Sequence, residues 1–215
     1  IAPLGLSGKF SNRPTLGISV WFLLFVLSTL AALTAFLVAA SFIFQSYFNL
    51  QAGGNLFQIL VISFAPWLLL GFGGVLLAIT NLRLAPYFDR REAALDLDAI
   101  STPTTERFEG VEIRRLSLPG YFAIAKSSAI YLSQAALELE QAQKTAVLWH
   151  ELGHIRLGHQ FFKGLSSFAM TVAPWFLVSR VFNYELTRLC ELAADNYALK
   201  RVERQVLNRA RRLFL

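Results

Sequence analysis

Charge is scarce in this chain. Of 215 residues only 16% are Asp, Glu, Lys or Arg, against about a quarter in soluble domains, while 55% are hydrophobic. Such a composition excludes intrinsic disorder, which needs low hydrophobicity and high net charge. Cysteine is nearly absent as well: Cys190 stands alone, so no disulfide framework exists and a reducing compartment is the natural setting. The most informative gap is positional. From Arg13 to Arg83 no Asp, Glu, Lys, Arg or His occurs.

That silence, 14–82, far exceeds the roughly 20 apolar residues that cross a bilayer. Asn49, Gly53, Gly54 and Asn55 interrupt it with turn-forming residues. The reading is two membrane spans, 17–48 and 56–80, joined by a short polar loop into a hairpin. Lys9 and Arg13 precede the first span and Arg83, Arg90 and Arg91 follow the second, whereas the loop carries no basic residue. Positive-inside counting then puts both ends in the cytosol, giving a multi-pass protein of the cell inner membrane with its functional domain facing the cytosol. The net charge of +6 fits a basic surface facing anionic headgroups, so the expected partner is the lipid bilayer. No nucleic-acid recognition motif accompanies the basic tail at 200–212, and no nucleic acid is expected as a partner.

The expected domain plan is a cytosolic segment at 1–16, the hairpin at 17–82, a linker and domain entry at 83–118, and a compact domain at 119–215. Ser101-Thr102-Pro103-Thr104-Thr105 reads as a turn within that linker. Val111 to Leu116 alternates weakly and reads as a strand. Tyr121–Ala125 and Ala129–Ser133, flanking Lys126-Ser127-Ser128, read as a β-hairpin, and from Gln134 onward the composition turns helical.

All three histidines fall within ten residues: His150, His154 and His159. His150-Glu151-Leu152-Gly153-His154 matches H-E-x-x-H, a string expected by chance roughly 0.002 times in a chain of this composition. On a helix, positions i and i+4 share a face, so both imidazoles reach one Zn²⁺, and Glu151 can take a proton from a water the metal activates. The third ligand is sought downstream, where Glu191-Leu192-Ala193-Ala194-Asp195 offers Glu191 as ligand and Asp195, one turn on, to orient a ligating histidine. His159, on a continued helix, falls about 140° from the ligand face and reads as a surface or helix-end residue. Cys190 reads as packing. Tyr184, Tyr197 and Arg188 are candidate donors to an oxyanion.

The runs AIYLSQAALELEQAQKTAVLWHELGHIRLGH and YELTRLCELAADNYAL resemble membrane-embedded zinc metallopeptidases of the gluzincin type, nearest the HtpX-like and CAAX-prenyl-protease-like peptidases. Antirepressor and β-lactam-sensor metallopeptidases are a second, similar group. The resemblance covers roughly 129–201. It implies an α+β membrane protein: a transmembrane helix hairpin followed by a mainly helical, cytosolic zincin-type domain with a small β-sheet. It further implies Zn²⁺ held by His150, His154 and Glu191, Glu151 as catalytic base and Asp195 in support. The implied activity is that of a zinc metalloendopeptidase acting on membrane-associated or juxtamembrane proteins, with substrate lying extended along a sheet edge near Ala129–Ser133. The alternatives are an antirepressor-type regulatory protease and a non-catalytic subunit of a larger membrane complex.

Between the ligand helices, 164–179 is free of charge. As a helix these 16 residues would span about 24 Å, short of a bilayer core, and one crossing would put Glu191 on the wrong side of the membrane. The expected form is an interfacial or re-entrant element broken near Pro174, shorter than the membrane helices HtpX-like enzymes place here.

Overall fold

The computed structural model describes residues 9–50, 97–126, 128–172 and 177–214, with 55–61 and scattered positions from there to 82. Two compact units divide the chain: 20–86 forms one, and 1–19 with 87–215 forms the other.

The first unit contains most of helix α1, Pro14–Leu50. Its stretch Pro14–Val38, 25 residues with mean hydropathy 2.3, is long and apolar enough to cross a membrane by length and composition. Beyond the buried Ile18 and Trp21, many of its large side chains are uncovered, Phe36 at 59% and Leu37 at 66% exposure among them. Of the second expected span, 56–80, much lies outside the described residues; Leu56–Ala65 is a short apolar helix. A hairpin is therefore not established by the structure, and one apolar helix is.

The second unit is mostly helical around a four-stranded mixed sheet. After the short α2 (Leu97–Ile100) come β1 (Ser101–Phe108), β2 (Val111–Leu116), β3 (Ala123–Lys126) and β4 (Ala129–Ser133). Then follow α3 (Gln134–Leu137), α4 (Gln141–Arg156), α5 (His159–Val172), α6 (Leu177–Ala198) and α7 (Arg204–Leu213). The strands lie in the order β1-β2-β4-β3, with β2 and β4 parallel and the other pairs antiparallel.

Two expectations change here. Ser101–Thr105 is no turn but the start of β1, and β1 with β2 puts most of 101–116 in the sheet rather than in a linker. Pro103 survives because β1 is an edge strand whose pairing with β2 shifts register between Pro103 and Arg107. The predicted hairpin does form as β3–β4, closed at Lys126 and Ala129. Yet β4 is an inner strand, buried at all five positions and paired on both sides, so the free edge beside it belongs to β3.

Strand alternation separates the two faces of the sheet. Val111, Ile113, Ile130 and Leu132 pack against Ala146, Val147, Leu148 and Leu152 of α4, joined by Ala198, Leu207 and Ala210. Leu116, Ala129 and Tyr131 pack on the opposite face with Leu97, Phe122 and Ile124. Each fully buried aliphatic side chain contributes about 1.5–3 kcal/mol of burial, and this concentration under α4 fixes that helix on the sheet. Ser133 ties β4 to α3: its hydroxyl donates to the Gly120 carbonyl at 2.8 Å and accepts from the Ala136 N–H at 3.2 Å.

Helix α4 also packs closely on α6. A Cβ built at Gly153 would meet Ala194 Cα at 3.1 Å and Tyr197 Cβ at 3.2 Å, so only glycine admits this approach without displacement. The close approach brings Glu191 of α6 to the two histidines of α4. Within 164–179, α5 runs to Val172 and α6 starts at Leu177; the residues around Pro174 lie outside those described.

Candidate metal centre

His150, Glu151 and His154 sit on α4, which the sheet anchors through the core residues just named. Their helical spacing turns both imidazoles to one side, with Nε2 of His150 3.2 Å from Nε2 of His154. Glu191 completes a triangle: its Oε2 lies 3.4 Å from His150 Nε2 and its Oε1 3.6 Å from His154 Nε2. These three residues form the one candidate metal cluster among the described residues. Ligand bonds of 2.0–2.1 Å at tetrahedral angles give edges of about 3.4 Å, so the donor set fits a small tetrahedral divalent ion. Two lone-pair nitrogens and a carboxylate also suit borderline metals in their chemistry.

A second layer orients the first. Asp195 Oδ1 lies 2.9 Å from His150 Nδ1 and accepts its N–H, so the neutral ring turns its Nε2 lone pair to the triangle. Asp195 is in turn paired through Oδ2 with Arg211 of α7. Arg211 is 16 residues away in a tail that reads simply as basic, and no local signal in the sequence points to it.

His159 is a helix-end residue, the first of α5, but not a surface one. It is fully buried, and its Nδ1 lies 2.8 Å from His154 Nδ1. The 140° offset assumed that α4 continues. Instead α4 ends at Arg156, and Gly158 adopts the left-handed conformation at φ +64°, a common helix terminator. The chain turns back and begins α5 at His159, against the ring of His154. Burial, with the neighbouring His154 and Lys163, pushes His159 down to about 3, so it is a neutral ring able to accept the proton on His154 Nδ1. The Gly158 signal was visible in the sequence.

The electrostatics of the triangle follow from Glu191 and the adjoining Asp195. Burial drives the His150 pKa down, but Asp195 and Glu191 outweigh it and hold the ring up at about 9. Burial pushes Glu191 up, and His150, His154 and Lys163 together carry it well below the usual carboxylate range. Lys163 of α5, not foreseen, places Nζ 2.7 Å from Glu191 Oε1. Cys190 is fully buried and pushed up to about 12 by burial, as a packing residue should be.

A cleft of about 1020 Å³ opens beside the triangle, lined by all of β3 on one side and by α4 and α5 on the others. Glu151, 8% exposed, is among its walls together with His150, His154 and Glu191. A smaller cavity of about 220 Å³ touches the same His150, Glu151 and Glu191, closed by Leu207, Arg211 and Phe214 of the C-terminal segment. The three candidate oxyanion donors lie elsewhere. Tyr184 is 66% exposed, Tyr197 meets the Trp149 ring in a tilted contact, and Arg188 bonds Glu185 and Ser11; none lines the cleft.

Compared with protein-family models, with curated proteins and with solved structures, the chain matches none.

Proposed function

We propose that this chain is a membrane-bound, zinc-dependent endopeptidase of the gluzincin type, related to the HtpX-like peptidases. The observation that carries the reading is the triangle of His150, His154 and Glu191 donors, 3.2–3.6 Å apart, with Glu151 beside it in an open cleft. When bound, Zn²⁺ supplies Lewis-acid polarisation of the scissile carbonyl and makes water acidic enough to act as a nucleophile near neutral pH.

The chain's own residues perform the rest. His150, His154 and Glu191 hold the ion, with Asp195 and His159 keeping each imidazole in the tautomer that ligates. Glu151 takes a proton from the attacking water and returns it to the leaving amine. The free edge of β3, which forms one wall of the cleft, accepts the substrate as an added extended strand. There Gln160 donates to the Ala125 carbonyl at 2.8 Å, a bond that an incoming strand would compete for.

The chain's apolar N-terminal helix supports membrane anchoring, and in this reading 17–82 is a hairpin with both ends in the cytosol. Substrates are then membrane-associated or juxtamembrane segments. Glu191 on α6 lies 3.4 Å from His150 Nε2, which supports a metal shared between the two helices.

The test is the Glu151→Gln variant, purified in detergent and assayed on an unfolded protein such as casein. Cleavage lost while zinc is retained is the expected result. Turnover at the wild-type rate in that variant overturns the mechanism.

A further inference from the structure

The cleft holds two ammonium groups that the proposed reaction does not use. Lys126 closes β3 at the hairpin and is part of the cleft wall; its Nζ is buried and has no hydrogen-bond partner among the described residues. An ammonium withdrawn from water without a partner is costly, and the position calls for an anion. Lys163, on α5 and also in the lining, spends its Nζ on Glu191 Oε1 at 2.7 Å. Once that carboxylate is shared with a divalent ion, its hold on Lys163 weakens.

The charge count of the cleft points the same way. Its charged side chains besides the histidines are Lys126, Lys163, Glu151 and Glu191, which cancel once His150 has given up its proton to ligate. A bound dication leaves the cleft with a surplus of two positive charges. The lining then carries two cations, Lys126 on the strand edge that would receive a peptide and Lys163 on α5.

We infer that the cleft selects peptides bearing a carboxylate close to the scissile bond, with Lys126 and Lys163 as its recognition residues. This rests on the peptidase reading for the reaction, though the binding itself does not. An acidic side chain and a free C-terminal carboxylate share this chemistry. The first makes the protein an endopeptidase with acidic preference, and the second a carboxypeptidase.

Binding and cleavage are measured separately on the full chain in detergent. Zinc-loaded Glu151→Gln protein is titrated with three fluorescent degenerate decapeptide pools: one fixed with a central Glu and a C-terminal amide, one neutral with a free C-terminal carboxylate, one neutral and amidated. One carboxylate pool is expected to bind about tenfold tighter than the neutral amide, the scale of a single charge-assisted contact, and which one identifies the source. Introducing Lys126→Met should erase the preference, and Lys126→Arg, keeping the charge, should preserve it. Equal binding of all pools, or a preference indifferent to Lys126→Met, overturns the inference. Wild-type protein that binds the preferred pool but never cuts it would overturn the peptidase reading and leave the subsite standing.

Discussion

Removing Asp195 separates two effects that the geometry sets against each other. In the Asp195→Ala variant His150 loses the carboxylate 2.9 Å from its Nδ1, and with it the force that fixes ring and tautomer. Loss of such a partner weakens metal affinity about 10–100-fold, or roughly 1.4–2.7 kcal/mol. Asp195 also helps hold His150 up at about 9 in the ion-free protein. At pH 7 the wild-type ring must shed a proton to ligate, which lowers apparent affinity by about two decades, and the variant escapes part of that. At pH 9 little proton remains to shed and the orienting loss stands alone. Zinc affinity, measured by competition with a chromophoric chelator, should therefore fall about 10–100-fold at pH 9 and clearly less at pH 7. Arg211, whose side chain is 48% exposed, turns to solvent in the variant and adds little. A loss that is absent at pH 9, or that shrinks as pH rises, refutes the reasoning.

Other consequences are simpler to state. Gly153→Ala gains about 1 kcal/mol of helix propensity but forces a methyl against Ala194 Cα at 3.1 Å, and overpacking costs about 1–3 kcal/mol. The net expectation is a melting temperature lower by about 2–4 °C, with weaker zinc binding because α4 and α6 part; an unchanged melting point and affinity argue against this contact. His159→Phe removes the acceptor on His154 Nδ1 and should lower zinc affinity about tenfold or more, with partial recovery in His159→Gln. A Co²⁺-substituted protein would show the difference in its ligand-field spectrum. Cys190, with its thiol held up at about 12 and no exposure, should resist alkylation at pH 8 until the protein is denatured; rapid native labelling would show that α6 is not packed as described.

What could be read from the sequence was the part whose logic is local. His150, Glu151 and His154 announce themselves because a helix converts a spacing of four into a shared face. Glu191 and Asp195 follow because a spacing of four puts both carboxylates on one face of α6. The β3–β4 hairpin was legible from two apolar runs around Lys126-Ser127-Ser128. Reading β1 failed because Pro103 among Ser and Thr signals a turn, and only an irregular edge pairing makes it a strand. Assigning the sheet edge to 129–133 failed because strand order is set by non-local pairing: β2, some 13 residues upstream of β4, covers its far side. The burial of His159 at its helix end was not legible because a single helix termination at Gly158 redirects everything after it. Arg211 and Lys163 reach the site only through the packing of α7 and of α5, which no spacing rule encodes.

The central claim is that His150, His154 and Glu191 together hold one catalytic zinc. Elemental analysis of the full chain, purified in detergent without chelators, tests it most directly when the Glu191→Ala variant is measured alongside. The account predicts about one zinc per wild-type chain and a marked loss in the variant. A wild-type protein without zinc even after incubation with the ion, or a variant that keeps a full equivalent, would contradict it.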